Sequence, residues 1–194
     1  MKRIQRKTNP KVRDGKVQKK NRHAPTPSYW NTLQCVPVID KEKPGRDHRH
    51  YLRKDDITRF IQILPDWDEL SKDLDAVVLA KGGGPDGWFH KGVIGICAWP
   101  RDSRVLLDID GFKEHAEIFE RLNVKSHKQD NHYVCLFSEA QVKAYQLLHI
   151  FLHELGHHHN RKTDHSKQYT EEYAKKYEAN IWQSYINEFQ PEEF

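Results

Sequence analysis

Most of the reactive side chains that could act together fall in one run, FLHELGHHHN, residues 151–160. A neutral imidazole is a good ligand for a divalent cation, and a carboxylate beside it can move protons. On a helix, positions i and i+4 lie about 40° apart around the axis and one turn apart along it. His153 and His157 therefore point the same way and can grip one cation. His158 and His159 are rotated from His157 by roughly 100° and 200°, so neither can join without unwinding the helix. Glu154 sits beside the pair rather than in it. This is the H-E-x-x-H arrangement: two imidazoles on zinc, with the carboxylate as general base towards a water and later as acid towards a leaving amine. Hydrolysis of that kind needs one exchangeable position on the metal, so three protein ligands are expected. The plain alternative is a histidine-rich helix end facing solvent.

The third ligand must come from elsewhere. Beyond Asn160 the polar turn RKTDHSKQ leads into YTEEYAKKYEANIWQSYINEF, a second helix whose apolar side carries Tyr173, Ala174, Tyr177, Ile181 and Trp182. Glu171 and Glu178 are seven apart and share a face, and His165 lies in the turn. These three are the candidates, with Glu171 placed first. His149, one turn before His153 on nearly the same face, reads as a partly buried histidine near the site rather than as a ligand.

The elements that must hold these groups are legible in outline. Ser138 with Gln141 three residues on is a capping box, which starts a helix of about twenty residues that ends near Asn160. Gly156 inside that helix costs about 1 kcal/mol, which points to a neighbour packed closely against it. Upstream, Asp55 or Asp56 can cap a helix with Ile57, Phe60, Ile61 and Leu64 on its apolar side. Pro65 closes that helix, and a short second one can start there. LDAVVLA (74–80), VIGICAW (93–99), RVLLDID (104–110) and HYVCLF (132–137) read as strands, and FKEHAEIFERLN (112–123) as a helix. KGGGPDGW (81–88) reads as a turn. It lacks the lysine and the spacing of a phosphate loop, and Pro85 removes a donor.

Length and charge set the frame. A chain of 194 residues suits one α+β domain. Residues 1–28 read as a disordered basic tail, 29–54 as a linker with one short strand at 36–40, and 55–194 as the folded domain. The first 22 residues carry +9, so the rest carries −5. Such a tail is a candidate nucleic-acid contact, although charge runs are more often simply solvated. No apolar run is long enough to span a bilayer, and the first residues lack an apolar signal segment. Three widely spaced cysteines without a CxxC suit a reduced compartment. The expected location is therefore cytoplasmic.

At HELGH (153–157), followed by E-x-Y-A-x-x-Y (171–177), the chain resembles the zincin metallopeptidases, most of all the small gluzincin-like domains of the ImmA/IrrE type. The resemblance implies a minimal zincin fold: a helix, a small twisted sheet, the active-site helix, and a C-terminal helix bringing a glutamate. It implies Zn²⁺ as cofactor and a protein or peptide as substrate. In the wider gluzincin pattern an acid four residues after the ligand orients a metal histidine; here those positions are Lys175 or Trp182. His165-Ser166-Lys167-Gln168-Tyr169 has a looser likeness to the SprT/WLM-like peptidases. The expectation is a zinc peptidase with ligands His153, His157 and Glu171 and with Glu154 as base. Its substrate would lie along an edge strand, for which RVLLDID is the candidate. Two other readings are a non-catalytic zinc-fold regulator that works through its tail, and an immunity or antirepressor protein acting on one partner.

Overall fold

The computed structural model describes residues 28–161 and 167–185, with the backbone alone for 167–169 and 183–185. Within the basic segment it describes only two paired dipeptides, β1 (Val12–Arg13) and β2 (Lys16–Val17). The disorder and nucleic-acid expectations for the rest of that segment lie outside the described residues, as does His165.

The elements continue in chain order as β3 (Val38–Lys41), β4 (His48–Arg49), α1 (Lys54–Ile63) and α2 (Trp67–Leu70). Next come β5 (Ala76–Ala80), β6 (Gly87–His90), β7 (Val93–Cys97), β8 (Trp99–Pro100) and β9 (Arg104–Asp108). The second half holds α3 (Ile109–Arg121), β10 (Lys125–Gln129), β11 (His132–Leu136), α4 (Glu139–Tyr145), a π-helical stretch (Gln146–Phe151), α5 (Leu152–Asn160) and α6 (Lys167–Tyr185). The class is α+β.

The main sheet has the order β3-β5-β7-β6. β3, β5 and β7 are parallel, and β6 runs antiparallel along the outer side of β7. All five residues of β5 and all five of β7 are buried, because helices cover one face and Tyr29 and Trp88 pack on the other. This explains why both strands read as unbroken apolar runs rather than as alternating ones. β3 lies inside the stretch expected to be a linker. Its parallel pairing with β5, and the burial of Tyr51 and Leu52, make that stretch part of the core.

A second sheet, β10-β11-β9, is antiparallel. Its strand β10 (KSHKQ) is exposed at every position and has no apolar pattern to betray it, so it was not expected. The N-terminus of α1 also differs from expectation. The cap is Arg53, and Asp56 accepts a hydrogen bond from the Arg53 amide at 2.8 Å. Asp56 is then buried 3.8 Å from the ammonium of Lys143, itself buried, which ties α1 to α4.

The α4–π–α5 helix runs beneath the sheet and meets β7 and β6, while α6 packs along α5. The expected capping box starts it. Ser138 Oγ accepts from the Gln141 amide at 3.2 Å, and Gln141 Oε1 accepts from the Ser138 amide at 2.7 Å. The Gln141 amide group also donates to the Leu122 and Asn123 carbonyls, tying this start to the end of α3.

Candidate metal centre

His153 and His157 sit one turn apart on α5, as the helical spacing requires, with their Nε2 atoms 3.0 Å apart. Glu171, from the first turns of α6, brings Oε2 to 3.2 Å from His153 Nε2 and 3.5 Å from His157 Nε2. The three donor atoms thus form a nearly equilateral triangle. A tetrahedral shell with metal–ligand bonds near 2.0–2.1 Å has edges of about 3.3 Å, so the triangle fits a small divalent cation. Two neutral imidazoles and one carboxylate suit a borderline cation such as Zn²⁺. Among the described residues this is the group of three whose ligand atoms converge so closely.

The convergence depends on Gly156. A β-carbon there would lie 2.7 Å from the Ala174 α-carbon, so α5 and α6 touch backbone to backbone. Ala174, fully buried, is the matching small residue. Glu171 lies three residues before Ala174 and His153 three before Gly156, so the contact delivers both to one place. The interior glycine does have a packing reason.

Burial keeps both ligand histidines neutral. It pushes the His153 imidazole down to about 4, with the adjacent His157 adding to the effect, and it lowers His157 as well. Their lone pairs are therefore free for a metal at neutral pH. Glu154 is 8% exposed and packs beneath β6, where Gly87 leaves room for it; a β-carbon on Gly87 would stand 3.0 Å from Glu154 Oε1. Burial first, and the charge of Glu171 second, raise its carboxyl to about 8. It is a titratable carboxyl held in a dry wall next to the donor triangle.

The other histidines disperse as the angles demand. His158 is fully buried and donates from Nε2 to the Lys72 carbonyl at 3.1 Å. His159 meets the Tyr173 hydroxyl at 2.5 Å and stacks on Tyr173 and Tyr177. His149 is displaced from the ligand row. Its ring centre is 6.4 Å from that of His153, against 4.7 Å between His153 and His157. The intervening π-helical stretch widens the turn, and such stretches gather at functional sites. Nothing in the sequence signalled it.

Glu178, weighed as a third ligand, takes a different place. Its Oε1 is 2.5 Å from His149 Nδ1, and its Oε2 lies 3.9 Å from His153 Nδ1, the nitrogen facing away from the triangle. A carboxylate behind a ligand histidine fixes ring orientation and basicity. Glu178, one helical heptad after Glu171, thus bonds His149 and stands behind His153 beyond hydrogen-bond distance. Lys175, four residues after Glu171, pairs instead with Glu114.

The triangle opens on two depressions. One, of about 610 Å³, is walled by α3, the π stretch and α6. The other, of about 480 Å³, runs under β6 past Trp88 and Phe89. β6 is an edge of the main sheet, and it is the edge that borders the site. β9, expected in that role, is the edge of the other sheet and lines neither depression. β6 was hidden in the glycine-rich turn, because GWFH is too short to show a pattern. Compared with known proteins, the chain matches no family model, no curated protein and no solved structure.

Proposed function

We infer that the chain is a zinc-dependent peptidase of the zincin type, with a minimal zincin-like arrangement of α5, α6 and the main sheet. The observation that carries this reading is the donor triangle of His153, His157 and Glu171 with the buried carboxylate of Glu154 at its side. Bound there, zinc would supply Lewis acidity and bring the pKa of a water down towards neutrality. Glu154 takes the proton of the attacking water on its carboxylate and delivers it to the departing amine. Its burial favours the protonated form between those two steps. Glu178, hydrogen-bonded to His149, stands 3.9 Å behind His153 Nδ1. The free edge of β6 offers backbone amides and carbonyls to an extended peptide, which would lie as an added strand across the site.

The test is elemental analysis of the purified protein beside peptide hydrolysis. The wild type should carry about one zinc. His153→Ala and Glu171→Ala should lose it, and Glu154→Gln should keep it while losing hydrolysis. Zinc-free wild type after growth in ample zinc would sink the reading.

The charge of residues 1–22 favours a second reading, a zinc-fold regulator that contacts nucleic acid through its tail. Deleting those residues separates the two. A peptidase keeps its activity, whereas a tail-driven binder loses its affinity.

A further inference from the structure

The larger depression has a chemistry that the hydrolytic step does not use. Its buried apolar lining is Ile118, Ile150 and Trp182. Besides Glu154 and Glu171 of the metal centre, its lining carries the carboxylates of Asp86, Glu114, Glu117 and Glu178 against the cations of Lys175 and Arg121. The two cations are already engaged, Lys175 by Glu114 and Arg121 by Glu117, with Arg121 also 5.3 Å over the Trp182 ring. Glu178 is held on His149. That leaves Asp86, which has no lysine or arginine partner among the described residues; burial raises its carboxyl, and the charges of His115 and His149 oppose that rise.

The place of Asp86 is fixed from both sides. Its carbonyl accepts from the Cys97 amide at 2.9 Å, which anchors it to the end of β7. The next residue, Gly87, lets the chain press onto the helix: a β-carbon there would meet Ile150 Cγ2 at 2.5 Å. The glycine-rich turn therefore ends by setting a carboxylate over an apolar slot that opens onto the donor triangle.

Resting on the peptidase reading, we propose that this depression is a side-chain pocket for a lysine or arginine of the substrate, with Asp86 facing the cation and Ile118, Ile150 and Trp182 the aliphatic stem. Long cationic side chains bury their stems on apolar surface and keep their heads at a polar rim, and this depression is shaped for both ends. The surplus of carboxylates selects against acidic side chains by like-charge repulsion.

The experiment uses the full chain carrying Glu154→Gln, so that peptide is bound but not cut. The probes are two capped pentapeptides, Ala-Ala-Xaa-Ala-Ala, with lysine or norleucine at the centre, followed by calorimetric titration. The lysine peptide should bind about tenfold tighter, a difference of about 1.4 kcal/mol. Adding Asp86→Asn should bring the two peptides within about twofold, leaving the norleucine peptide unchanged. Asp86→Lys should reverse the preference towards a glutamate peptide. Equal binding of both peptides, a lysine preference that survives Asp86→Asn, or no binding of either at millimolar concentration overturns the proposal. Turnover by the wild type separates the two readings. Hydrolysis without a lysine preference refutes the pocket alone, whereas a lysine preference in binding without any hydrolysis refutes the peptidase alone.

Discussion

The two sides of α5 carry the same residue type to opposite ends. On the cleft side, His153 and His157 keep 19% and 14% of their side chains exposed and turn their Nε2 atoms towards Glu171. On the core side, His158 is sealed against Phe89 and the Lys72 carbonyl, with its Nδ1 meeting no partner among the described residues. All three are neutral for the same reason, burial, yet only the cleft pair faces a place where a ligand could come. What separates them is about 100° of rotation around one axis. Histidine density therefore says little about chemistry, and azimuth says much. Substitutions on the cleft side should alter function at constant stability, and those on the core side should do the reverse.

The sharpest probe of that division is Glu154→Gln, which keeps shape and burial. Hydrolysis should fall by about 10³-fold or more, with metal content and melting temperature unchanged, as read by steady-state assay, elemental analysis and calorimetry. Gly156→Leu should abolish the division. Its side chain would enter the Ala174 backbone, force α5 from α6, and cost about 3 kcal/mol while scattering the donors, so unfolding midpoint and metal content fall together. Metal loss without destabilisation would contradict the packing account. The core side answers to acid. His158 sits at about 4 in the fold against its ordinary 6.5, so its folded form resists protonation. Its contribution is intact above pH 6.5 and is lost as pH falls from there towards 4, reaching roughly 3 kcal/mol in all. Denaturant midpoints across that window should fall less steeply in His158→Gln, with His153 and His157 supplying the slope that remains. The smallest change is expected from Glu178→Gln, which leaves the donors in place and loosens the ring behind them. Zinc affinity should weaken about 10- to 100-fold in a chelator competition, against outright loss for Glu171→Ala. Equal losses in both would make Glu178 a ligand.

How far the sequence carried depended on how local each determinant is. The 3.6-residue geometry of one helix places His153, His157, His158 and His159 without further knowledge, and the Ser138–Gln141 pair marks where that helix starts. β5 and β7 announced themselves as apolar runs because helices and the Tyr29–Trp88 side bury both faces. Glu171 was placed ahead of Glu178, but what separates them is how α6 slides along α5, a tertiary quantity set by Gly156 against Ala174. β6 and β10 left no trace. One is four residues long and hidden behind glycines, and the other is exposed throughout. The rim strand was thus assigned to the wrong sheet, because β9 has a visible pattern and β6 has none.

The widened turn at Gln146–Phe151 has a wider meaning. Three imidazoles spaced four apart would, on a uniform cylinder, line up as a rail of nitrogen donors able to pass a cation from one rung to the next. One irregular turn interrupts the rail after its first rung. His149 is diverted to Glu178, and a cation gripped by His153 and His157 would find no further rung to move to.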